Sequence, residues 1–292
     1  MAFIFIGLYA IYERFIGVNS LAEYEISLNY NKDKVIDTWG YENDERTVGG
    51  RVRSIFLHPI GAGVNFALVF SFISYIYINY KKLIKYNILI IVGMLFITFY
   101  SVWLTNSRGP LVFLFISIIP LINFRKKTFY LFILLCLLLF IFLFDYIHPY
   151  LDNFLSIFNS NIQAKVGGSN LDMRWEQLTA AIQLFKQNPW FGNGLKSHDY
   201  INDVNLVKNL LGMESVWFFL LVERGILGVI SYIYLIVSMV KLGKKENKFM
   251  IISLVLALLF TNTVTSLPGF YIHLFYVFLF ILVKLEMLVY SK

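Results

Sequence analysis

Apolar runs alternate with polar stretches along almost the whole chain, at roughly 2–18, 55–79, 87–105, 110–123, 128–147, 215–240, 249–266 and 270–290. A segment that crosses a bilayer needs about 20 apolar residues and must satisfy its own backbone polar groups, which favours helix. The pattern therefore predicts an all-α integral membrane protein, a polytopic bundle of about eight spans. Two long polar stretches, about 19–54 and 149–213, are predicted as loops. The expected organisation is 1–54 as first span and first loop, 55–148 as a four-span block, 149–213 as a large loop and 214–292 as three C-terminal spans.

Charge gives this arrangement a side. Lys81/Lys82/Lys85, Arg125/Lys126/Lys127, Lys241/Lys244/Lys245/Lys248 and Lys292 fall at alternate ends of the apolar runs. Short basic loops stay in the cytoplasm, so both long loops are expected outside. With 58% hydrophobic and 15% charged residues the chain cannot coat a soluble globule. The net charge of +7 sits in the inner loops, where anionic headgroups account for it, and nucleic-acid binding is not expected. The single cysteine, Cys136, lies in an apolar run and leaves the loops without an intrachain disulfide. Residues 2–18 lack a basic leader and carry Glu13 and Arg14, so they read as a span rather than a cleaved signal. No internal repeat points to an inverted-repeat transporter.

The fourth run is short, about 21 Å as a helix against a core of about 30 Å. It opens at Asn106-Ser107-Arg108-Gly109-Pro110, where serine is placed to cap and proline to start a helix. Arg108 is thereby lowered toward the bilayer, where an arginine either serves a ligand in a cavity or snorkels to headgroups. In the second loop Leu171, Trp175, Leu178, Ile182 and Phe185 form one apolar helical stripe over about 171–187, fit to lie on the membrane or to cap a cavity. Asn188-Pro189 ends that helix and Gly192-Asn193-Gly194 turns the chain. Glu223 and Arg224, well inside an apolar run, read as an internal structural pair or as catalytic groups. The tryptophans, Trp190 among them, suit either an interfacial belt or a sugar platform. No histidine, cysteine or acidic spacing fits zinc, and neither a phosphate-binding glycine loop nor an Asp-x-Asp pair is present, so no metal and no cofactor is expected.

Four segments, in order, resemble the O-antigen ligase and polymerase superfamily, over about 51–240. NSRGPLVFLFI resembles its Ser-Arg-Gly element, with Arg108. RVRSIFLHPIGAG resembles its first-loop end, where an arginine precedes a proline by eight positions, selecting Arg51 and Pro59 over Arg53. MRWEQLTAAIQLFKQNPWFGNGL resembles its arginine-led amphipathic helix and Gly-x-Gly turn, matching Arg174, Pro189, Gly192 and Gly194. ESVWFFLLVERGILG resembles its last element, except that Glu214 stands where the ligases typically have histidine, which leans toward a polymerase. Family members commonly have more than eight spans, so a missing N-terminal part is expected.

The resemblance implies inverting glycosyl transfer between undecaprenyl-diphosphate-linked oligosaccharides, outside the bacterial plasma membrane. Arg51, Arg108 and Arg174 would hold the diphosphate leaving group in place of a metal. Glu214 would be the general base, with His198 in reserve. Arg53 and Trp190 join Arg174 and His198 as candidate substrate contacts. The leading expectation is a polymerase of O-antigen or capsule repeat units, beside membrane lipids and a flippase and chain-length regulator as partners. A ligase moving finished glycan to a lipid or wall acceptor is the alternative within that chemistry, and a flippase for lipid-linked oligosaccharide is the alternative outside it.

Overall fold

The structure is a computed structural model that describes residues 2–28, 51–80, 87–121, 171–197, 213–245, 249–265 and 271–290. Those residues are all-helical, with no strand among them. In chain order the helices are α1 (Ala2–Ile16), α2 (Ser20–Leu28), α3 (Pro59–Asn79), α4 (Ile88–Leu104), α5 (Arg108–Ile118, extended by a 3-10 turn at Ile119–Leu121), α6 (Leu171–Phe185), α7 (Val216–Lys245), α8 (Phe249–Val264) and α9 (Tyr271–Tyr290). Seven of the eight apolar runs coincide with helices in this order, and the run at 128–147, with Cys136, lies outside the described residues. Pro59–Asn79 and Val216–Gly243 are long and apolar enough to cross a membrane; the other apolar helices are shorter. The chain divides into two compact units, Met1–Phe154 with Gly269–Lys292, and Leu155–Pro268.

In the first unit α3 is the hub, with Ala62, Gly63, Val64, Asn65, Phe66, Ala67, Leu68 and Val69 buried in one unbroken run. Its start is set by Pro59 in the first turn and by His58, whose Nδ1 accepts the Ile60 N–H at 3.2 Å. Small residues let its neighbours close in. A Cβ on Gly63 would lie 2.6 Å from the Pro110 Cβ and 2.9 Å from Thr105 Oγ1, so glycine there seats the start of α5 against α3. Deeper down, Ser71 and Ser117 join α3 to α5 through their hydroxyls at 2.5 Å. Phe72 stacks on Phe278 of α9, with centroids 4.1 Å apart.

Glu13, an acid in an otherwise apolar run, has a structural role. It is buried in α1, and its carboxylate accepts the backbone N–H groups of Arg53 at 3.2 Å and Ser54 at 2.6 Å. Ser54 has a left-handed backbone, φ 56°, and its hydroxyl donates to Ile6 O at 2.9 Å. Asn19 Nδ2 donates to Ser54 O at 2.7 Å, so the turn is gripped from both sides. Glu13→Ala leaves two N–H groups without acceptors, at about 1–3 kcal/mol each. The detergent-solubilised variant should therefore melt well below the wild-type protein, and Glu13→Gln, which keeps one acceptor, should fall between; equal midpoints for all three would remove this role.

In the second unit Ala180, Ala181 and Leu184 of α6 pack on Phe219 and Val222 of α7 and on Met213 just before it. The apolar stripe predicted for α6 is not the packed face. Leu171, Trp175 and Ile182 are exposed, whereas Gln177 and the two small alanines face inward. Further on, α7 and α8 form a hairpin. A Cβ on Gly243 would lie 2.8 Å from Ile252 and 3.1 Å from Ile251, and Asn262 hydrogen-bonds the Tyr232 hydroxyl.

α7 is two helical arms joined across a break. Gly225 sits at φ 60°, ψ −160° inside it. Trp217 and Tyr232, on opposite sides of Gly225, contact edge to face with ring centroids 5.2 Å apart. In a straight helix residues so spaced would be about 22 Å apart, beyond the reach of two side chains. The arms 216–224 and 226–245 therefore fold back on one another, with Gly225 at the apex.

Candidate functional site

Two of the four motif segments meet in the first unit. Val52 N donates to Leu104 O at 3.3 Å, which lays the Arg51 segment along the end of α4. Arg51 Nη2 then donates to Ser107 Oγ at 2.6 Å, across 56 positions of sequence. The Ser107 hydroxyl in turn donates to Thr105 O at 2.9 Å. Ser107 occupies the cap position of α5 but makes no side-chain cap. This corrects the expectation of a serine cap, and the reason is competition: Arg51 and the Thr105 carbonyl take both functions of one hydroxyl. Asn106, with φ 46°, supplies the reversal that lets α5 begin at Arg108. Ser107, Gly109 and Pro110 are buried and Arg108 is half-buried. The first turn of α5 thus carries one arginine, with a second tethered beside it. The positive end of a helix dipole and two permanent charges make such a place suited to a phosphate oxyanion.

The other two motif segments meet in the second unit, around the apex of α7. The turn after α6 grips the break at Gly225 through four backbone hydrogen bonds. Asn193 N donates to Val222 O at 2.8 Å and Gly194 N to Glu223 O at 3.1 Å; Ile226 N donates to Pro189 O at 2.9 Å and Leu227 N to Trp190 O at 3.4 Å. The carbonyls and N–H groups released by breaking the helix are thereby satisfied by the turn. This explains the glycines. A Cβ on Gly192 would enter the peptide joining Glu223 and Arg224, and one on Gly225 would lie 2.6 Å from the carbonyls of Pro189 and Trp190. Glu223 adds its side chain, Oε1 accepting the Lys196 N–H at 2.7 Å, while Arg224 is exposed.

Arg174 ties three elements together. Its Nη2 reaches Glu214 Oε2 at 3.2 Å and Val264 O at 3.4 Å, and its Nη1 donates to Glu214 O at 3.2 Å. Gln177, fully buried, accepts the Glu214 N–H at 3.2 Å. The Glu214 carboxylate, about a quarter exposed, is therefore fixed from both its backbone and its side chain.

Arg51 and Arg108 thus fall in one unit, Arg174 and Glu214 in the other. Arg53 is half-buried, its backbone held by Glu13, and Trp190 is exposed on the α7 clasp. His198 lies outside the described residues. Sequence reasoning missed Glu13 and Asn19, which shape the Arg51–Arg53 turn, and Gln177, which holds Glu214. The one available sign was an acid in an otherwise apolar first run.

Residues 93–233 match the family model described as O-antigen ligase. No curated protein and no solved structure matches the chain.

Proposed function

Starting from membership in the O-antigen ligase and polymerase superfamily, carried by residues 93–233, we propose that this protein is a polymerase of lipid-linked repeat units. The family comprises membrane proteins of the glycosyl-transfer group that act on lipid-linked oligosaccharides. The observation that carries the proposal furthest is the Arg51–Ser107 bond at 2.6 Å beside Arg108, which supports a site for the diphosphate of a lipid-linked glycan.

In the proposed reaction an acceptor sugar hydroxyl attacks the anomeric carbon of the donor glycan. The bond from that carbon to the phosphate oxygen breaks, and the electron pair leaves on the undecaprenyl diphosphate. Arg51 and Arg108 stabilise the charge that develops there, and Arg174 is held in reserve as a further substrate contact. The hydroxyl proton passes to Glu214, whose orientation by Arg174 and Gln177 supports that role. The site is extracytoplasmic in an eight-span arrangement of the plasma membrane, and a flippase supplies the donor. Glu214→Gln should lower extension about 10²–10⁴-fold, the usual worth of a general base. Normal polymer from that variant would leave Glu214 as an anchor for Arg174 alone.

One observation favours the second reading: the matched family model is described as an O-antigen ligase. The electrophoretic length profile of lipid-linked and surface glycan in a deletion strain separates the two. Single repeats on the carrier mean a polymerase; full-length glycan stranded on the carrier means a ligase, and repeats held on the inner leaflet would overturn both.

A further inference from the structure

The clasp at Gly225 presents a hydrophobic tip. Trp190, Phe191 and Leu195 are 65%, 79% and 75% exposed, which is unusual for three large apolar side chains so close in sequence unless they meet a partner or a lipid. Their position is not free to drift, because the turn is bonded through Pro189, Trp190, Asn193 and Gly194 to the backbone of α7 on both sides of its break.

The level of that break in the bilayer follows from the charges and the apolar surface of α7. If crossing began at Val216, exposed Arg224 would stand well inside the hydrocarbon at a cost of about 3 kcal/mol or more, with Glu223 next to it. Beyond the break the exposed surface is mainly apolar, with Leu227, Ile230, Ile233, Tyr234 and Val237, until exposed Lys241; exposed Ser231 turns its hydroxyl back to Leu227 O at 2.8 Å. Residues 226–243 form roughly 18 residues, or about 27 Å, close to the thickness of the hydrocarbon core. Exposed Lys186, Lys196 and Arg224 surround the tip, placed to meet lipid phosphates while the rings lie just below.

The geometry points to the 189–195 turn as a membrane-interface anchor: Trp190, Phe191 and Leu195 enter the lipid surface on the loop side, and the crossing part of α7 begins at Ile226, not at Val216. The arm 216–224 then folds back from the apex alongside the first turns of the crossing part, where Trp217 meets Tyr232. The occupant of the tip is the lipid interface, because the tip is continuous through the Trp190–Leu227 bond with the lipid-facing side of α7. This requires only a membrane-embedded chain and holds whether the enzyme polymerises or ligates.

The test uses the full chain with Cys136→Ser, one spin-labelled cysteine at a time, in phosphatidylethanolamine and phosphatidylglycerol vesicles. Phe191→Cys and Leu195→Cys report the tip, Leu235→Cys a lipid-facing position and Lys186→Cys a polar one. Power saturation should show oxygen accessibility exceeding that of a water-soluble nickel chelate at 191 and 195, with the sign found at 235 and opposite to that at 186. Nickel dominance at both tip positions would mean a turn in water. Low accessibility to both reagents would mean a tip covered by protein. Either result overturns the anchor, and two labelled positions keep the test decisive if one variant fails to insert.

Discussion

Cells carrying Arg108→Ala in place of the wild-type gene are expected to lose glycan extension while inserting the protein at normal levels. Ser107, Gly109 and Pro110 form the buried joint between α5 and α3, and Arg108 stands half-exposed at the start of the helix. Truncating it should spare that packing and remove one of two permanent charges from the proposed leaving-group site. A preorganised group acting on charge in the transition state is worth about 10²–10³ in rate, enough to reduce a polymer ladder to its first rungs. Arg108→Lys should restore part of the activity, since the charge returns without the guanidinium's bidentate geometry. A full-length ladder from Arg108→Ala would refute the assignment, and loss of the protein from the membrane would show that the residue holds the fold.

Gly225→Ala is expected to have the largest effect on folding. The backbone at φ 60°, ψ −160° lies where residues with a Cβ are strained by about 1–3 kcal/mol. The added methyl would also lie 2.7 Å from Gly192 N as well as against the Pro189 and Trp190 carbonyls. Relief requires the turn to withdraw, which surrenders hydrogen bonds on both sides of the break. Folded yield, read by size-exclusion chromatography of the solubilised protein, should collapse. Gly93→Ala is the matched control: a Cβ there meets nothing within 4 Å in the middle of α4, and it should be neutral or mildly stabilising. Equal loss in both variants would mean that the break at Gly225 is not special.

These two residues differ in how they announce themselves. Arg108 is legible because an arginine at the start of an apolar run already poses an energetic question. Gly225 is legible only as part of a resemblance, since neither the sharp fold of α7 nor the turn that fills it leaves a periodic trace. The Ser107 cap was a sound local reading overtaken by a distant residue, Arg51. The stripe on α6, expected to lie on the membrane or to cap a cavity, has Leu171, Trp175 and Ile182 exposed, while the packed face is formed by Gln177, Ala180, Ala181 and Leu184. Small residues allow α7 to approach there, and the hydrophobic pattern cannot say which face a neighbour will choose.

By itself the sequence determined the helical class, the order of the apolar elements and the superfamily, because these rest on local composition and on short motifs in fixed order. The tertiary structure alone decided that Glu13 grips the turn at Arg53 and Ser54, that Arg51 reaches Ser107, that Arg174 and Gln177 hold Glu214, and that α7 breaks over the 189–194 turn. Each of those contacts joins a side chain or backbone group to a partner tens of residues away, and a chain's local pattern carries no record of which distant donor will meet which acceptor.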